Sequence, residues 1–384
     1  MTAASLSQGI SQPQTAVPGW RLVPVMLLAF AGVFSQGLAP FIVHSLADYA
    51  GLTTSQAGLC VGAEMAGSTC GIAAVLFILG RAPRRVVAIV ALTAVIAGNA
   101  LCIFAGSAIA YMGARFIAGV GCGLTTSAFG IMAAVGRPAR NFAIFSGATV
   151  VLMSAADACI PSVLDHAGLA GFFALIAAPA SFALAFVGLM PVTQSEGSAG
   201  VSNVFRRGAV LGLLTNALFF TALAAFWTYV TEIAVANGND AQSVSHTIAI
   251  TFLSGGIGGS TLAAVIGARL QPATAIAINT PLLATAAAII VWVPGFNSFA
   301  AAVAVYLLLW FTTYPFLMAL LASLDSRGGL TVAGVLTQSL GWLAGPALGS
   351  ALISHGSPQW LGAMCCAGFV LASVCAFSSR RRPV

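Results

Sequence analysis

Arg115-Phe116-Ile117-Ala118-Gly119-Val120-Gly121-Cys122-Gly123 places one cation at the head of a glycine-rich run, inside an apolar stretch near 109-134. All 14 basic residues of the 384-residue chain are arginines, and the others fall in the polar breaks between apolar stretches or near the chain ends. The chain is 59% hydrophobic and 6% charged, whereas soluble domains carry about 25% charged residues. A water-soluble fold built from it would have almost no polar surface, so the chain reads as one that lives in lipid. A hydrocarbon layer of about 30 Å asks for on the order of 20 apolar residues per crossing.

Working outward from 109-134, apolar windows precede it near 22-45, 55-79 and 86-105, and follow it near 141-164 and 168-190. Six more lie near 209-234, 242-267, 273-293, 298-322, 330-353 and 359-378. The predicted fold is all-α, a polytopic membrane protein of 12 transmembrane helices in two pseudo-symmetric six-helix bundles, 22-190 and 209-378. The polar stretch 191-208, with Gln194, Ser195, Glu196, Gly197 and Ser198, reads as a linker between them. Short tails, 1-21 and 379-384, complete the chain.

The arginines orient these helices. With the amino terminus inside, the even-numbered connections hold Arg81, Arg84, Arg85, Arg137, Arg140, Arg206, Arg207, Arg269 and Arg327, and Arg21 and Arg380 to Arg382 join them. The opposite connections hold Asp48, Asp165, Asp240, His44, His166 and His355, and no arginine. The positive-inside rule then puts both termini in the cytoplasm. Arginine to the exclusion of lysine fits a GC-rich bacterial genome and hence an inner membrane. The polar opening residues, followed by too long an apolar run, do not read as a signal peptide. Charges in twos and threes at span ends form no continuous basic patch, so nucleic acid is not an expected partner. The expected partners are the bilayer and a small-molecule substrate, for a monomer. The eight cysteines sit in apolar stretches without zinc spacing and read as packing residues.

The halves repeat weakly. Gly80-Arg81-Ala82-Pro83 follows the second span and Gly267-Ala268-Arg269-Leu270-Gln271-Pro272 the eighth; Ile160-Pro161 in the fifth span matches Gly345-Pro346 in the eleventh. Parallel halves of this kind are a transporter architecture, with the substrate between them at mid-membrane.

On these residues the chain resembles the major facilitator superfamily of twelve-helix secondary transporters along essentially its whole length. The run from Arg115 to Gly123 resembles that family's Arg-x-x-x-Gly-x-Gly motif. The loop Leu76-Phe77-Ile78-Leu79-Gly80-Arg81-Ala82-Pro83-Arg84-Arg85 resembles its Gly-x-x-x-Asp-Arg-x-Gly-Arg-Arg signature in the three arginines Arg81, Arg84 and Arg85, but lacks both glycines and the aspartate. The resemblance implies that this aspartate would latch the neighbouring helices in the outward-open state; arginines here can instead pair with helix-end carbonyls. Of the family's antiporter motif in helix five only Pro161 stands, among Ala156, Ile160, Leu164 and Asp165. Nearly that pattern recurs in span eleven as Gly341-Trp342-Leu343-Ala344-Gly345-Pro346-Ala347-Leu348-Gly349-Ser350. Gly119, Gly121, Gly123, Gly341, Gly345 and Gly349 permit close helix approach, and Pro161 and Pro346 permit bending.

A charge at the bilayer centre costs at least about 2.5 to 3.5 kcal/mol, so intramembrane charges are functional candidates. Glu64, Arg115 and Asp157 count to a shared depth on the order of 10 to 14 Å, with Gln36 at a similar level, while Glu232 lies near an outer end. The expected arrangement pairs Arg115 with one acid and leaves the other as proton carrier, because a dry site favours its neutral form. Glu64 is preferred as that carrier, since Asp157 sits four residues before Pro161 and has a weakened helix to satisfy. A static salt-bridge network is the alternative. Arg115 also suits the carboxylate of an anionic substrate.

In the second half the cavity candidates are neutral: Asn216, Trp227, Tyr229, Trp310, Tyr314, Gln338 and Trp342. Aromatic faces with a few polar groups suit a partly apolar organic ligand; an aromatic belt is the other reading, and fits Trp292 and Trp360 better. The function expected is proton-coupled movement of a small organic solute by alternating access, without enzymatic activity, metal or cofactor, since the chain has no Walker-type loop and no hydrolytic His pair. A transporter-like receptor that binds without transport is the alternative.

Overall fold

The computed structural model describes residues 19–78, 81–191, 206–325, 328–355 and 357–379, and no strand occurs among them. Leu79, Gly80, the stretch 192–205 and Arg327, to which the loop motif, the linker and one arginine were assigned, lie outside the described residues. A 3-10 turn, Gly19–Leu22, leads into the first crossing, which is two helices, α1 (Val23–Gly37) and α2 (Ala39–Ala50). The chain leaves helical geometry at Leu38 (φ −87°, ψ 10°). Pro40 has no N–H with which to bond the Gln36 carbonyl one turn back, which favours a break here in the helix expected over 22-45.

α3 (Thr54–Ile78) and α4 (Arg84–Ile103) make the next two crossings. The fourth is also broken, into α5 (Ala108–Thr125) and α6 (Ser127–Ala134). At the break the Thr125 and Thr126 hydroxyls donate to the Cys122 and Gly123 carbonyls at 2.7 and 2.6 Å, side-chain bonds that compete with the helical ladder. α7 (Pro138–Phe186) carries two crossings joined at Gly168, whose φ of 56° and ψ of −153° suit a residue without Cβ. The second half consists of α8 (Arg207–Ala236), α9 (Ala241–Ile266), α10 (Pro272–Trp292), α11 (Phe296–Leu324), α12 (Gly329–His355) and α13 (Pro358–Ser378). Among the described residues, 11 helical stretches are long and apolar enough to span a membrane. The segment expected near 330-353 is α12, a helix of 27 residues outside that set.

These helices are apolar on every face, so polarity does not decide which side packs inward. Large side chains turn both ways: Leu343 and Ile250 are 73% and 69% exposed, whereas Phe142 and Phe219 are fully buried. Glycines at the helix contacts let backbones meet. Gly119 and Gly123 of α5 lie on α3, and Gly121 on α4, where an added Cβ would come within 2.6 Å of the Ala91 oxygen and the Val95 nitrogen. Gly341 and Gly345 of α12 lie on the α8 backbone at Phe220, Thr221 and Ala225, with Gly349 against the Tyr229 ring. Where Pro281 deprives the Ala277 carbonyl of its donor inside α10, Ser373 Oγ of α13 donates to it at 3.0 Å.

The helices of the first and second halves meet at the end that carries Arg137, Arg140 and Arg269. A Cβ on Gly328 would fall 2.6 Å from the Gly130 oxygen of α6, and one on Gly267 would lie 3.1 Å from the Ala139 Cβ. Deeper along the same seam, Gly147 of α7 faces Ser260 of α9 and Val150 faces Gly256.

Candidate functional site

Two caps fix the heights of the charged residues. α3 begins in a capping box: Gln56 N–H donates to Thr53 Oγ1 at 3.2 Å and Thr53 N–H donates to Gln56 Oε1 at 3.0 Å. α5 begins at Ser107, whose Oγ accepts from the Ala110 N–H at 3.3 Å. With the starts set, Gly119 seats α5 directly on the Glu64 backbone, and Arg115, one turn earlier on the same face, meets the Glu64 side chain.

The meeting is a fully buried ion pair. Arg115 Nη2 donates to Glu64 Oε2, and both side chains have zero solvent exposure. Ser35 Oγ of α1 donates to Glu64 Oε1 at 2.7 Å and lies 2.8 Å from Arg115 Nη2, from which it accepts. Arg115 Nη1 donates to Asn99 Oδ1 of α4 at 2.8 Å, and Asn99 Nδ2 donates to the Val95 carbonyl at 2.8 Å. Four helices thus contribute one polar group each, and the charges cancel within the cluster. Only Arg115 Nε is left without a hydrogen-bond partner. In this cluster the residues not foreseen from the sequence are Ser35 and Asn99, the latter the single amide in its span.

This geometry corrects one expectation. Glu64 is the acid that Arg115 neutralises, not the acid left without a cation, because the glycine contact brings α3 to α5 at this level. Asp157 and Pro161 belong to the helical backbone of α7, and Glu232 and Pro346 to those of α8 and α12; their side chains lie outside the described residues. Gln36, beside the break at Leu38, donates from Nε2 to Ser68 Oγ of α3 at 2.7 Å.

Two of the three loop arginines engage carbonyls. Arg81 Nη1 donates to the Phe77 oxygen at 2.8 Å, and Arg85 Nη2 donates to the Met190 oxygen at 2.7 Å, tying the loop to the end of the sixth crossing. Arg84 has Nε and Nη1 buried without a hydrogen-bond partner.

The second half replaces charge with rings. Trp227 of α8 meets Trp310 of α11 edge-on at 5.4 Å between centroids, and Trp310 meets Trp342 of α12 at 6.1 Å. Phe252 of α9 touches Trp227, Trp310 and Phe311, and Phe311 stacks on Trp310 at 5.2 Å. Phe252 and Phe311 were not foreseen, since phenylalanine is common on lipid faces. Tyr314 packs edge-on against Phe220 at 6.2 Å. Asn216, fully buried, donates to the Gly334 oxygen at 2.7 Å and to Thr337 Oγ1 at 2.9 Å. Asn216 Oδ1 and Gln338 Oε1 have no hydrogen-bond partner.

Compared with solved structures, the chain matches FucP, a major facilitator superfamily transporter in the outward conformation, with a TM-score of 0.75 over 94% of this chain and 99% of that one, at 16% identity. The chain has the major facilitator fold. The human organic anion transporter MFSD10 aligns with a TM-score of 0.72 at 17% identity, over 94% of this chain and 100% of that one. The proton:xylose symporter XylE aligns at 0.61 and 14% identity, over 94% and 92%. No protein-family model matches the sequence, and no curated protein matches it. The major facilitator fold therefore rests here on shape and on the packing of broken and glycine-lined helices.

Proposed function

We propose that this chain is a secondary transporter that carries a small organic solute across the membrane by alternating access of two six-helix bundles, 22-190 and 209-378, driven by a proton gradient. The observation that carries the reading is the Glu64–Arg115 pair, fully buried among four helices of one bundle in a major facilitator fold. A purely structural protein gains little from such a pair, since apolar residues of similar volume are often as stabilising. Two of the similar structures are proton symporters, of fucose in E. coli and of xylose.

In this reading the arginine-bearing end is cytoplasmic and the closed seam there makes the state outward-facing. A proton taken up by Glu64 would weaken its contact with Arg115, so proton binding and movement of α3 against α5 are linked. Asp157 is the second acid of the proposal.

In proteoliposomes, Glu64→Gln is expected to abolish solute movement driven by a pH gradient while the protein still reaches the membrane in normal amount. A panel of metabolites added to vesicles containing a pH-sensitive dye reads this directly, and full proton movement in the variant removes Glu64 as carrier. The seam supplies a second test. Cysteines at Ala139 and Gly267 would have Cβ atoms close to the roughly 3.5–4.5 Å of a disulfide. Oxidising the Ala139→Cys/Gly267→Cys protein is expected to lower transport at least tenfold, with recovery in reductant and no effect in either single variant. Undiminished transport by fully cross-linked protein would refute opening at this seam.

A further inference from the structure

We propose that the groove between α10 and α13, at the arginine-bearing end, is a binding site for one anionic phospholipid, with an acyl chain along the groove and the headgroup among the arginines at its mouth. The site is independent of what the protein transports. The two helices are held together over most of their length. A Cβ on Gly362 would come 2.9 Å from Val291 Cγ2, Cys366 Sγ donates to the Ala284 oxygen at 3.3 Å, and Ser373 Oγ donates to the Ala277 oxygen at 3.0 Å. At this last contact and beyond it lies a groove of about 580 Å³, within the roughly 300–1,000 Å³ of ligand sites. Ile278, Val374 and Phe377 form its walls, the small Ala277 leaves the space between them, and Thr274 and Ser378 stand at its mouth, near the ends of the two helices. The three wall residues are exposed, and so are Leu282 and Leu371 one turn further along each helix, so an apolar channel continues from the mouth toward mid-membrane.

Lipid tails are as apolar as leucine, so the walls supply fit and the mouth must supply selection. The mouth is basic. Arg269 is exposed and stands three residues before Pro272, where α10 begins. α13 ends beside the start of α8: a Cβ on Gly208 would lie 3.7 Å from the Ser379 oxygen, which brings Arg206 and Arg207, both exposed, to the same end. The sequence runs on from Ser379 into Arg380, Arg381 and Arg382, each residue adding no more than about 4 Å of backbone. Against these six arginines the sequence sets two acids at this end, Glu196 and Asp325, and Asp325 Oδ2 already accepts from the Leu330 N–H at 2.9 Å. The first turn of α10 has no side-chain cap from Gln271, so the positive end of that helix adds to the same field. Arginines at span ends serve topology throughout the chain; here they surround a groove with hydroxyls at its opening. A headgroup of net negative charge gains from all of these cations, at about fivefold in affinity per arginine near it. A zwitterionic headgroup brings a cation of its own and gains less.

The test titrates purified full-length protein in detergent with dioleoyl phosphatidylglycerol or dioleoyl phosphatidylcholine and counts bound lipids by native mass spectrometry. The first phosphatidylglycerol is expected to bind at least tenfold more tightly than the first phosphatidylcholine. Ile278→Trp/Val374→Trp fills the groove from both walls at exposed positions and is expected to weaken phosphatidylglycerol binding at least fivefold. The control Val86→Trp/Val90→Trp, on the exposed face of α4 beside Arg84 and Arg85, is expected to leave it unchanged. Arg269→Gln is expected to weaken phosphatidylglycerol about fivefold and phosphatidylcholine not at all. Thermal unfolding identifies the variants that remain folded. Phosphatidylglycerol bound no more tightly than phosphatidylcholine, undiminished binding in the folded groove-filled variant, or an equal loss in the α4 control overturns the proposal. So does a loss in Arg269→Gln that is the same for both lipids.

Discussion

Arg115→Leu is expected to cost about 3 to 5 kcal/mol of stability, the penalty for leaving one member of a buried ion pair without its partner, and to eliminate the proton-coupled transport proposed above. The guanidinium is fully buried and holds three side chains from α1, α3 and α4. Without it, Glu64 must either ionise in a dry site or take up a proton permanently, and Asn99 loses its only donor to Oδ1. Thermal unfolding of the purified protein in detergent measures the first effect and vesicle acidification the second. The informative companion is the double variant Glu64→Leu/Arg115→Leu. Apolar replacement of both charges is expected to recover most of the lost stability and none of the coupling. A single variant as stable as the parent would mean that the pair is not buried as described. Recovered coupling in the double variant would mean that the pair has no part in it.

Gly119→Val is the second large effect. A Cβ at this position would overlap the Glu64 carbonyl, which is backbone and cannot swing aside. The α3–α5 contact must open, at a cost of about 1 to 3 kcal/mol or more for overpacking, and the ion pair one turn away must lengthen with it. The expected phenotype therefore includes a loss of coupling beyond the loss of stability. Gly113→Val on the same helix, where a Cβ meets nothing within 4 Å, serves as control and is expected to leave the fold and transport unchanged. Equal behaviour of the two variants would show that the glycine at 119 does not set the helix spacing.

The crossings were legible because apolar runs of membrane length are rare in soluble chains and because arginine falls in the breaks between them. The break at Leu38 was not read, although Pro40 was there to signal it; hydropathy averages over a window and sees no missing N–H. That Glu64 and Arg115 deserved scrutiny was also legible, since a charge in a bilayer span is costly enough to need a purpose. Which acid Arg115 would hold was not. Rotation about a helix axis is encoded by differences between faces, and α3 and α5 are apolar nearly all round, so the glycines at 67, 71, 119 and 123 set the rotation through contacts that exist only once both helices are paired. Ser35, Asn99, Phe252 and Phe311 were missed for the same reason: each is an ordinary residue whose role comes from the neighbour it meets.

The ion pair also has a consequence for how the chain enters the bilayer. Glu64 precedes Arg115 by 51 residues, so during synthesis the acid of the second crossing emerges well before the cation it pairs with. Until α5 arrives, α3 carries an insertion penalty of about 2.5 to 3.5 kcal/mol for a lone charge at depth, unless it enters protonated. The second crossing should thus be held at the insertion machinery until the fourth crossing docks on it, so the order of synthesis makes the first bundle close around this pair as a late step of its assembly.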